Sequence, residues 1–148
     1  MVGDQEVSGR LYGLGVGAER DAPAGELRAL AKEALAEAGL DAGSVACVAS
    51  IDLKSGEPAV LALARHLGVP ARFFTAAMLE AETPRLANPS EVVFRKVGCH
   101  GVAEGAALAA VGAGGALVVP KRTSSRCTVA IARAPKPIVV TNLGRGQA

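Results

Sequence analysis

The chain has 148 residues, half of them apolar, and it carries a formal net charge of +2 at pH 7. This length favours one domain with its own core, and the near-neutral charge excludes the basic surface of a nucleic-acid-binding protein. No apolar run is long enough to cross a bilayer, and residues 1–6 are polar and acidic, unlike a signal peptide. Three scattered Cys indicate reduced thiols, so we expect a cytoplasmic protein that binds neither nucleic acid nor membranes.

The first half of the chain alternates short apolar strands with amphipathic helices. Residues 9–16 form the first predicted strand, which ends in a glycine-rich turn. The apolar run over residues 45–51 is typical of a central parallel strand, and a helix over 57–67 and a strand over 71–75 follow it. The helix between the first two strands has a buried stripe at helical spacing, made of Leu27, Leu30, Ala31, Ala34, Leu35 and Ala38.

The second half of the chain predicts two helices and a hairpin. Asn88 and Pro89 have the residue types of an N-cap and a first helical position, and Gly98 ends that short helix. Residues 102–111 are almost all apolar, which predicts a buried helix. Strands over 117–120 and 127–132 are joined by a polar turn over 122–125, which predicts an antiparallel hairpin.

Because strand and helix alternate through most of the chain, we predict a three-layer α/β/α sandwich. Its mixed, mainly parallel sheet should contain about five strands, with the antiparallel hairpin at one edge. We assign residues 1–134 to a single domain. Periodicity is lost over residues 135–148, which predicts a loose C-terminal tail, although residues 138–140 could add an edge strand.

Ligands of open α/β sheets bind beyond the carboxyl ends of the parallel strands, where helix N-termini also gather. The loops over residues 13–21, 52–57 and 75–78 should therefore meet at one edge, and the segment over 98–104 could join them. Gly13, Gly15 and Gly17 allow three interpretations: a sharp turn at the strand end, close approach of a ligand to the backbone, or a nucleotide site. The last is weak because Ala18 replaces the third glycine of the dinucleotide fingerprint.

The segment over residues 52–57 is the densest polar group of the sequence, and it ends in Glu57. It is either a solvated loop or a binding loop. In the first interpretation Ser55 caps the next helix and Lys54 pairs with Asp52. In the second, Lys54 and backbone N–H groups hold a substrate carboxylate.

Other candidate groups are scattered along the chain. Cys99 and His100 are adjacent, which is poor support for a catalytic dyad because the members of a dyad normally meet in space. His66 lies near a helix end, where a hydrogen bond to carbonyl groups is the ordinary role. No pair of Cys or His has metal-site spacing, so we expect no metal site. Glu104 either complements a helix dipole or serves a pocket as a base or a substrate contact.

Five segments follow one another in the order of a known family. They are Tyr12-Gly13-Leu14-Gly15 with Arg20, Ser50-Ile51-Asp52-Leu53-Lys54-Ser55-Gly56-Glu57, Asn88-Pro89-Ser90-Glu91-Val92-Val93, Val97-Gly98-Cys99-His100-Gly101-Val102-Ala103-Glu104 with Ala106 and Ala107, and Lys121 with Thr128-Val129-Ala130-Ile131-Ala132. Together they resemble the family formed by CobE and the C-terminal domain of CbiG, over residues 9–134. Each motif is modest alone, but five in the right order are specific.

The resemblance implies a role in cobalamin (vitamin B12) biosynthesis, with a corrinoid or precorrin intermediate as ligand or substrate. In this family CbiG is a cobalt-precorrin hydrolase that opens a ring lactone and releases acetaldehyde, and the chain resembles only its C-terminal part. We expect no cofactor beyond the corrinoid, which brings cobalt only if it already carries the metal. Other enzymes of the pathway are candidate partners.

Three functions remain open at this point: a corrinoid-binding or carrier protein, an enzyme acting on the precorrin lactone, and a small nucleotide-binding module. A corrinoid needs an apolar floor, which the shortage of aromatic residues makes aliphatic here, and cations at its carboxylate rim. Arg20, Lys54, Lys96 and Lys121 could supply these cations. Asp52 and Glu104 are the catalytic candidates. The candidate substrate-binding residues are Gly13, Gly15, Arg20, Asp52, Lys54, Ser55, Glu57, Gly98 and Glu104.

Overall fold

The computed structural model describes residues 5–7 and 9–141, and within them it contains seven strands and five α-helices. The strands are β1 (Gln5–Val7), β2 (Tyr12–Ala18), β3 (Val45–Ile51), β4 (Ala71–Phe74), β5 (Ala116–Thr123), β6 (Cys127–Arg133) and β7 (Val139–Thr141). The helices are α1 (Ala24–Glu37), α2 (Pro58–Leu67), α3 (Ala76–Glu80), α4 (Glu91–Val97) and α5 (Val102–Val111).

The central sheet has five strands in the order β4-β3-β2-β6-β5. β2, β3 and β4 are parallel neighbours, whereas β6 is antiparallel to β2 and pairs on its other side with β5. The predicted mixed sheet and its antiparallel edge hairpin are therefore confirmed. Pro120 lies in β5, the outermost strand, where a residue without a backbone N–H is tolerated.

Helices cover both faces of this sheet and complete the three-layer sandwich. On one face, Leu14 and Val16 of β2 belong to a core that also contains the predicted buried stripe of α1 and the inner side of α2. On the other face, α5 packs against β2, β3 and β6. Nearly every residue of α5 is buried, as the apolar run predicts.

The glycines of β2 explain how α5 approaches the sheet so closely. A Cβ added at Gly15 would lie 1.9 Å from the carbonyl oxygen of Ala103 and 2.6 Å from the amide nitrogen of Ala107. Gly13 faces the same helix, and β2 continues through both glycines to Ala18. The interpretation of these glycines as a sharp turn at the strand end was wrong, because the strand continues past them and the missing side chains of Gly13 and Gly15 make room for α5.

Two helices begin at residues that differ from the sequence prediction. α2 has Glu57 as its N-cap and Pro58 as its first residue, so Ser55 does not cap it. α4 has Ser90 as its N-cap, and the Ser90 hydroxyl accepts a hydrogen bond from the N–H of Val93 at 3.2 Å. Asn88 precedes α4 and does not cap it, because Asn88 donates hydrogen bonds to the carboxylate of Glu104 in α5.

The two ends of the described chain pair with each other. β1 and β7 form a separate antiparallel sheet, with Gln5 opposite Thr141. Residues 139 and 140 therefore belong to a strand, but that strand is not an edge of the five-stranded sheet. Predictions for residues 142–148 lie outside the described residues.

None of the helices within residues 9–141 is long and apolar enough to cross a membrane. Cys47, Cys99 and Cys127 are all buried, and each is a free thiol. They lie in β3, in the segment between α4 and α5, and at the start of β6, so they belong to the core of the domain.

Candidate functional site

A cleft of about 340 Å³ opens at the carboxyl edge of the parallel strands. It is bounded by the ends of β2 and β3, by α4, by the first turn of α5 and by the hairpin β5–β6. The hairpin turn reaches this edge because β6 starts beside Ala18, the last residue of β2. The edge that open α/β sheets use for ligands thus carries a cleft in this fold.

The side of the cleft near β3 is aliphatic. Ile51 ends β3 and Leu53 lies in the turn after it, Val93 and Val97 come from α4, and Val102 begins α5. Leu53 is 68% exposed although its side chain is large and apolar, so solvent reaches this surface. An exposed apolar surface within a cleft is available to an apolar ligand.

The side of the cleft on the other flank of β2 is polar and basic. The hairpin contributes Lys121 together with the hydroxyl groups of Thr123, Ser124 and Ser125. Across the cleft, Lys96 of α4 adds a second cation. The ammonium groups of Lys96 and Lys121 make no ion pair with any side chain that the structure describes.

Arg126 also lines the cleft, but its guanidinium is already engaged. It donates to the carbonyl oxygen of Arg20 at 2.8 Å and lies 3.4 Å from a carboxylate oxygen of Glu19. These contacts tie the hairpin turn to the loop after β2. The Arg20 side chain is exposed and lies outside the lining, whereas the other three predicted cations line the cleft.

Glu104 is almost completely buried at the cleft, and both of its carboxylate oxygens accept hydrogen bonds. Oε1 accepts from the backbone N–H of Asn88 at 2.9 Å. Oε2 accepts from the side-chain amide of Asn88 at 2.9 Å and from the backbone N–H of Lys121 at 2.8 Å. Burial favours a higher pKa for Glu104, but these donors outweigh burial and hold the pKa below its usual value.

An ionised carboxylate with both oxygens occupied is a poor general base. Its contacts give Glu104 another role, since they connect the first turn of α5 to the segment before α4 and to β5. We therefore interpret Glu104 as a structural residue, whose hydrogen bonds hold the two sides of the cleft together.

The loop after β3 is held by Glu57. This side chain is buried and accepts a hydrogen bond from the backbone N–H of Asp21 at 2.9 Å. Lys54 Nζ lies 3.9 Å from Glu57 Oε1, so Glu57 rather than Asp52 is the partner of Lys54. Lys54 lines the cleft, whereas Asp52 and Ser55 are exposed outside its lining.

Three other predicted binding positions lie away from the cleft. Gly13 and Gly15 are covered by α5, and Gly98 is the C-cap of α4, with a φ of 87°. The loop over 75–78 begins α3 and does not line the cleft, so only the first two of the three predicted loops share it. Because the glycines lie inside β2 and not at a helix N-terminus, they also fail to match a dinucleotide site.

Cys99 and His100 do not form a dyad. Cys99 is buried, and burial raises the pKa of its thiol. The ring of His100 contacts the carboxylates of Glu80 and Glu91, and the hydrogen bond to Glu80 is the main cause that raises the pKa of His100. His66 is exposed in the last turn of α2. In the part of the chain that the structure describes, no three His, Cys, Asp or Glu are grouped to hold a metal ion.

Sequence reasoning does not identify all of this cleft. Asn88 has the residue type of a helix cap, and Val93 has the spacing of a helix core, so neither suggests a cleft residue. The hairpin turn with Ser124 and Ser125 predicts only a connection. The pairing of β6 with β2 brings that turn to the ligand edge, and a non-local strand pairing of this kind leaves no local signal in the sequence.

The fold and the cleft define an α/β/α domain with a basic, partly aliphatic cleft at the carboxyl edge of its sheet. A family model described as the C-terminus of cobalamin synthesis protein G matches residues 12–132, and the chain belongs to this family. Over 119 residues it is 56% identical to protein CobE of Sinorhizobium sp, a match that covers 80% of this chain and 77% of that protein. The chain is thus a cobalamin-biosynthesis protein of the CobE and CbiG C-terminal type.

The crystal structure of CobE, a protein from the cobalamin biosynthetic pathway, superposes with a TM-score of 0.80 at 38% identity. This match covers 85% of the chain and 95% of the CobE structure. The chain is also 29% identical over 126 residues to cobalt-precorrin-5A hydrolase of Priestia megaterium, covering 85% of the chain but 33% of the hydrolase. The similarity to the hydrolase is therefore confined to about one third of that enzyme.

Proposed function

We propose that the chain binds a corrinoid intermediate of cobalamin biosynthesis in the cleft at the carboxyl edge of the sheet. One observation carries the proposal: the cleft combines an exposed aliphatic side with Lys96 and Lys121, which have no ion-pair partner among the described side chains. Corrinoid intermediates combine an apolar ring with carboxylates on its rim. Each side of the cleft is therefore complementary to one part of such a ligand.

The size of the cleft determines how much of the ligand it holds. At about 340 Å³ it lies near the lower end of small-molecule sites, which span roughly 300–1,000 Å³. A corrinoid is large and flat, so the cleft accommodates one edge of the ring and leaves the rest at the surface. A ligand held by its edge stays accessible to a second protein, which suits a carrier that passes its ligand to another enzyme of the pathway.

The proposal extends to the compartment and to the metal. Free, buried thiols are typical of cytoplasmic proteins, so we place the protein in the cytoplasm. Cobalt, where present, would arrive already bound by the ring nitrogens of the corrinoid. The chain itself would need no other cofactor for binding.

Spectroscopic titration of the purified chain with cobyrinic acid tests the proposal, because this corrinoid has free side-chain carboxylates. Cobinamide, whose side chains are amides, serves as the matched ligand that lacks these charges. We expect Lys96→Ala and Lys121→Ala each to weaken binding of cobyrinic acid by about 1.5–3 kcal/mol, the range for a hydrogen bond to a charged group. Binding of cobinamide should change little in both variants.

Lys32→Ala is the matched control, because Lys32 is an exposed lysine of α1, which lies on the other face of the sheet. Its affinity for cobyrinic acid should equal that of the unmodified chain. The proposal fails if cobyrinic acid causes no saturable spectral change. It also fails if the cleft variants and Lys32→Ala lose affinity equally.

A further inference from the structure

Helix α4 forms part of the cleft but has little packing of its own. None of its residues is buried, although Val93, Lys96 and Val97 line the cleft. Pro89 precedes the helix, and Gly98 ends it in the left-handed conformation. A helix of seven residues is too short to be stable alone in water, so contacts with neighbouring segments must hold α4 in place.

His100 provides the polar part of these contacts. Its Nδ1 lies 2.9 Å from the carboxylate of Glu80 in α3, and its Nε2 lies 3.1 Å from Oε2 of Glu91 in α4. The Phe94 ring stacks on the imidazole, with 4.3 Å between ring centroids and 17° between the planes. The carbonyl oxygen of His100 also accepts from the N–H of Ser90, the N-cap of α4, at 2.8 Å. The imidazole therefore joins α4 to α3.

The two ring nitrogens of His100 face carboxylates, which can only accept hydrogen bonds when ionised. A neutral imidazole has one N–H and turns a lone pair towards one of the two carboxylates, whereas an imidazolium donates to both. Glu80 also accepts from the backbone N–H of His100 at 3.0 Å, so its contact with this residue persists without the ring charge. Loss of the proton should therefore break the contact with Glu91.

We infer that α4 is a movable wall of the cleft, and that protonated His100 latches this wall to α3 through Glu91. The inference rests on the proposed function for the ligand that the wall contacts, whereas the latch itself is a property of the free protein. When the latch is closed, Val93 and Lys96 are held at the cleft. When it opens, α4 loses order and the cleft loses Lys96, one of the two cations without an ion-pair partner among the described side chains.

The direction of the pH effect follows from the charges around the ring. Glu80 from α3 raises the pKa of His100 most and Glu91 from α4 adds to this effect, while partial burial opposes them. The pKa of His100 is thus higher in the folded protein than the ordinary value of 6.5. The protonated ring therefore contributes its full stabilisation at a pH below 6.5. The stabilisation is lost as the pH rises through the raised folded pKa. Burial raises the pKa of the neighbouring Cys99 thiol, so this thiol stays mostly protonated up to pH 9.

Amide hydrogen exchange measured by NMR on the free protein tests the latch between pH 6 and pH 9. Protection factors, which are referred to the intrinsic exchange rate at each pH, should fall about two- to fivefold for residues 94–98, the size expected for loss of one ion pair at a surface. Protection in α1 should stay constant. Equal protection of residues 94–98 at both pH values, while the His100 ring titrates, would overturn the inference.

Variants separate the latch from general stability. Glu91→Gln removes the carboxylate of α4 but leaves the pair of His100 with Glu80, and Glu91 is 74% exposed, so the variant should fold. In Glu91→Gln, protection of α4 should be low and independent of pH. Glu33→Gln on α1 and His66→Gln, which removes the other His of the chain, should both behave like the unmodified protein. A fall with pH that persists in Glu91→Gln would reject the latch.

The ligand arm of the experiment uses cobyrinic acid at the same two pH values. Affinity should fall about two- to fivefold from pH 6 to pH 9 in the unmodified chain and stay constant in Glu91→Gln. If cobyrinic acid fails to bind at either pH, the proposed function falls, while the exchange data still decide the latch. If it binds with equal affinity at both pH values although α4 loosens, α4 is not a wall that the ligand uses, and the inference is rejected.

Discussion

The contact between β2 and α5 can be tested with one methyl group. In Gly15→Ala, the new Cβ would lie 1.9 Å from the carbonyl oxygen of Ala103 and 2.6 Å from the amide nitrogen of Ala107. Both atoms belong to the backbone of a buried helix, so neither can move aside by a change of rotamer. To restore an ordinary contact of 3.4 Å, α5 would have to recede by about 1.5 Å and lose packing against β2, β3 and β6.

Overpacking of a close-packed core costs about 1–3 kcal/mol, and a clash with backbone atoms belongs at the upper end. We therefore expect Gly15→Ala to lower the free energy of unfolding by about 3 kcal/mol. For a domain of this size, each kcal/mol shifts Tm by about 2–4 °C, so the melting temperature should fall by roughly 6–12 °C. Gly25→Ala makes the same chemical change in α1, where nothing lies within 4 Å of the new Cβ. It should raise stability by up to about 0.5–1 kcal/mol, because alanine is the better helix former.

Urea unfolding followed by circular dichroism measures both variants under identical conditions. The opposite signs are the essential result, since the two substitutions differ only in their surroundings. A Gly15→Ala variant within about 0.5 kcal/mol of the unmodified protein would show that α5 does not lie on β2 as described. A Gly25→Ala variant that is equally destabilised would remove the packing argument.

Three further predictions concern the cleft. Lys54→Ala should weaken binding of cobyrinic acid by about 1.5–3 kcal/mol. Its stability should change by less than about 1 kcal/mol, because the ion pair of Lys54 with Glu57 is long. Unchanged affinity with a large loss of stability would indicate a structural role. Glu104→Gln should lower stability at pH 7 by about 1–3 kcal/mol, because an amide can accept only through its oxygen. Since the pKa of Glu104 is lowered, its contribution is present above 4.5 and lost as the pH falls, so urea unfolding should show the variant and the unmodified protein converging below that pH. The purified chain alone should leave the lactone-bearing precorrin intact in mass spectrometry; release of acetaldehyde that is abolished in Asp52→Asn or Glu104→Gln would falsify this.

The sequence predicts the parts of the fold that depend on local patterns. The continuous apolar run of β3, the helical stripe of α1 and the apolar stretch of α5 each indicate one kind of buried element, and the structure confirms them. The glycines of β2 are different, because glycine favours a turn as readily as a close contact. Only the position of α5, which comes about 90 residues later, decides between the two.

The site was predictable where it depends on strand order and unpredictable where it depends on individual hydrogen bonds. Lys54 and Glu104 could be placed at the edge of the sheet because they follow a strand and begin a buried helix. The sequence does not predict that the Glu104 carboxylate accepts hydrogen bonds from Asn88 and from the backbone of Lys121. Such contacts depend on loop conformation, and polar residue types alone are compatible with several pairings.

The pairing of Gln5 with Thr141 has a practical consequence for protein engineering. The backbone N–H of Ile138 donates to the carbonyl oxygen of Arg10, just before β2, so both strands of this small sheet lie at the amino edge of the parallel strands. The cleft lies at the opposite edge. A fluorophore attached at the exposed position 139 of β7 would therefore be remote from the ligand.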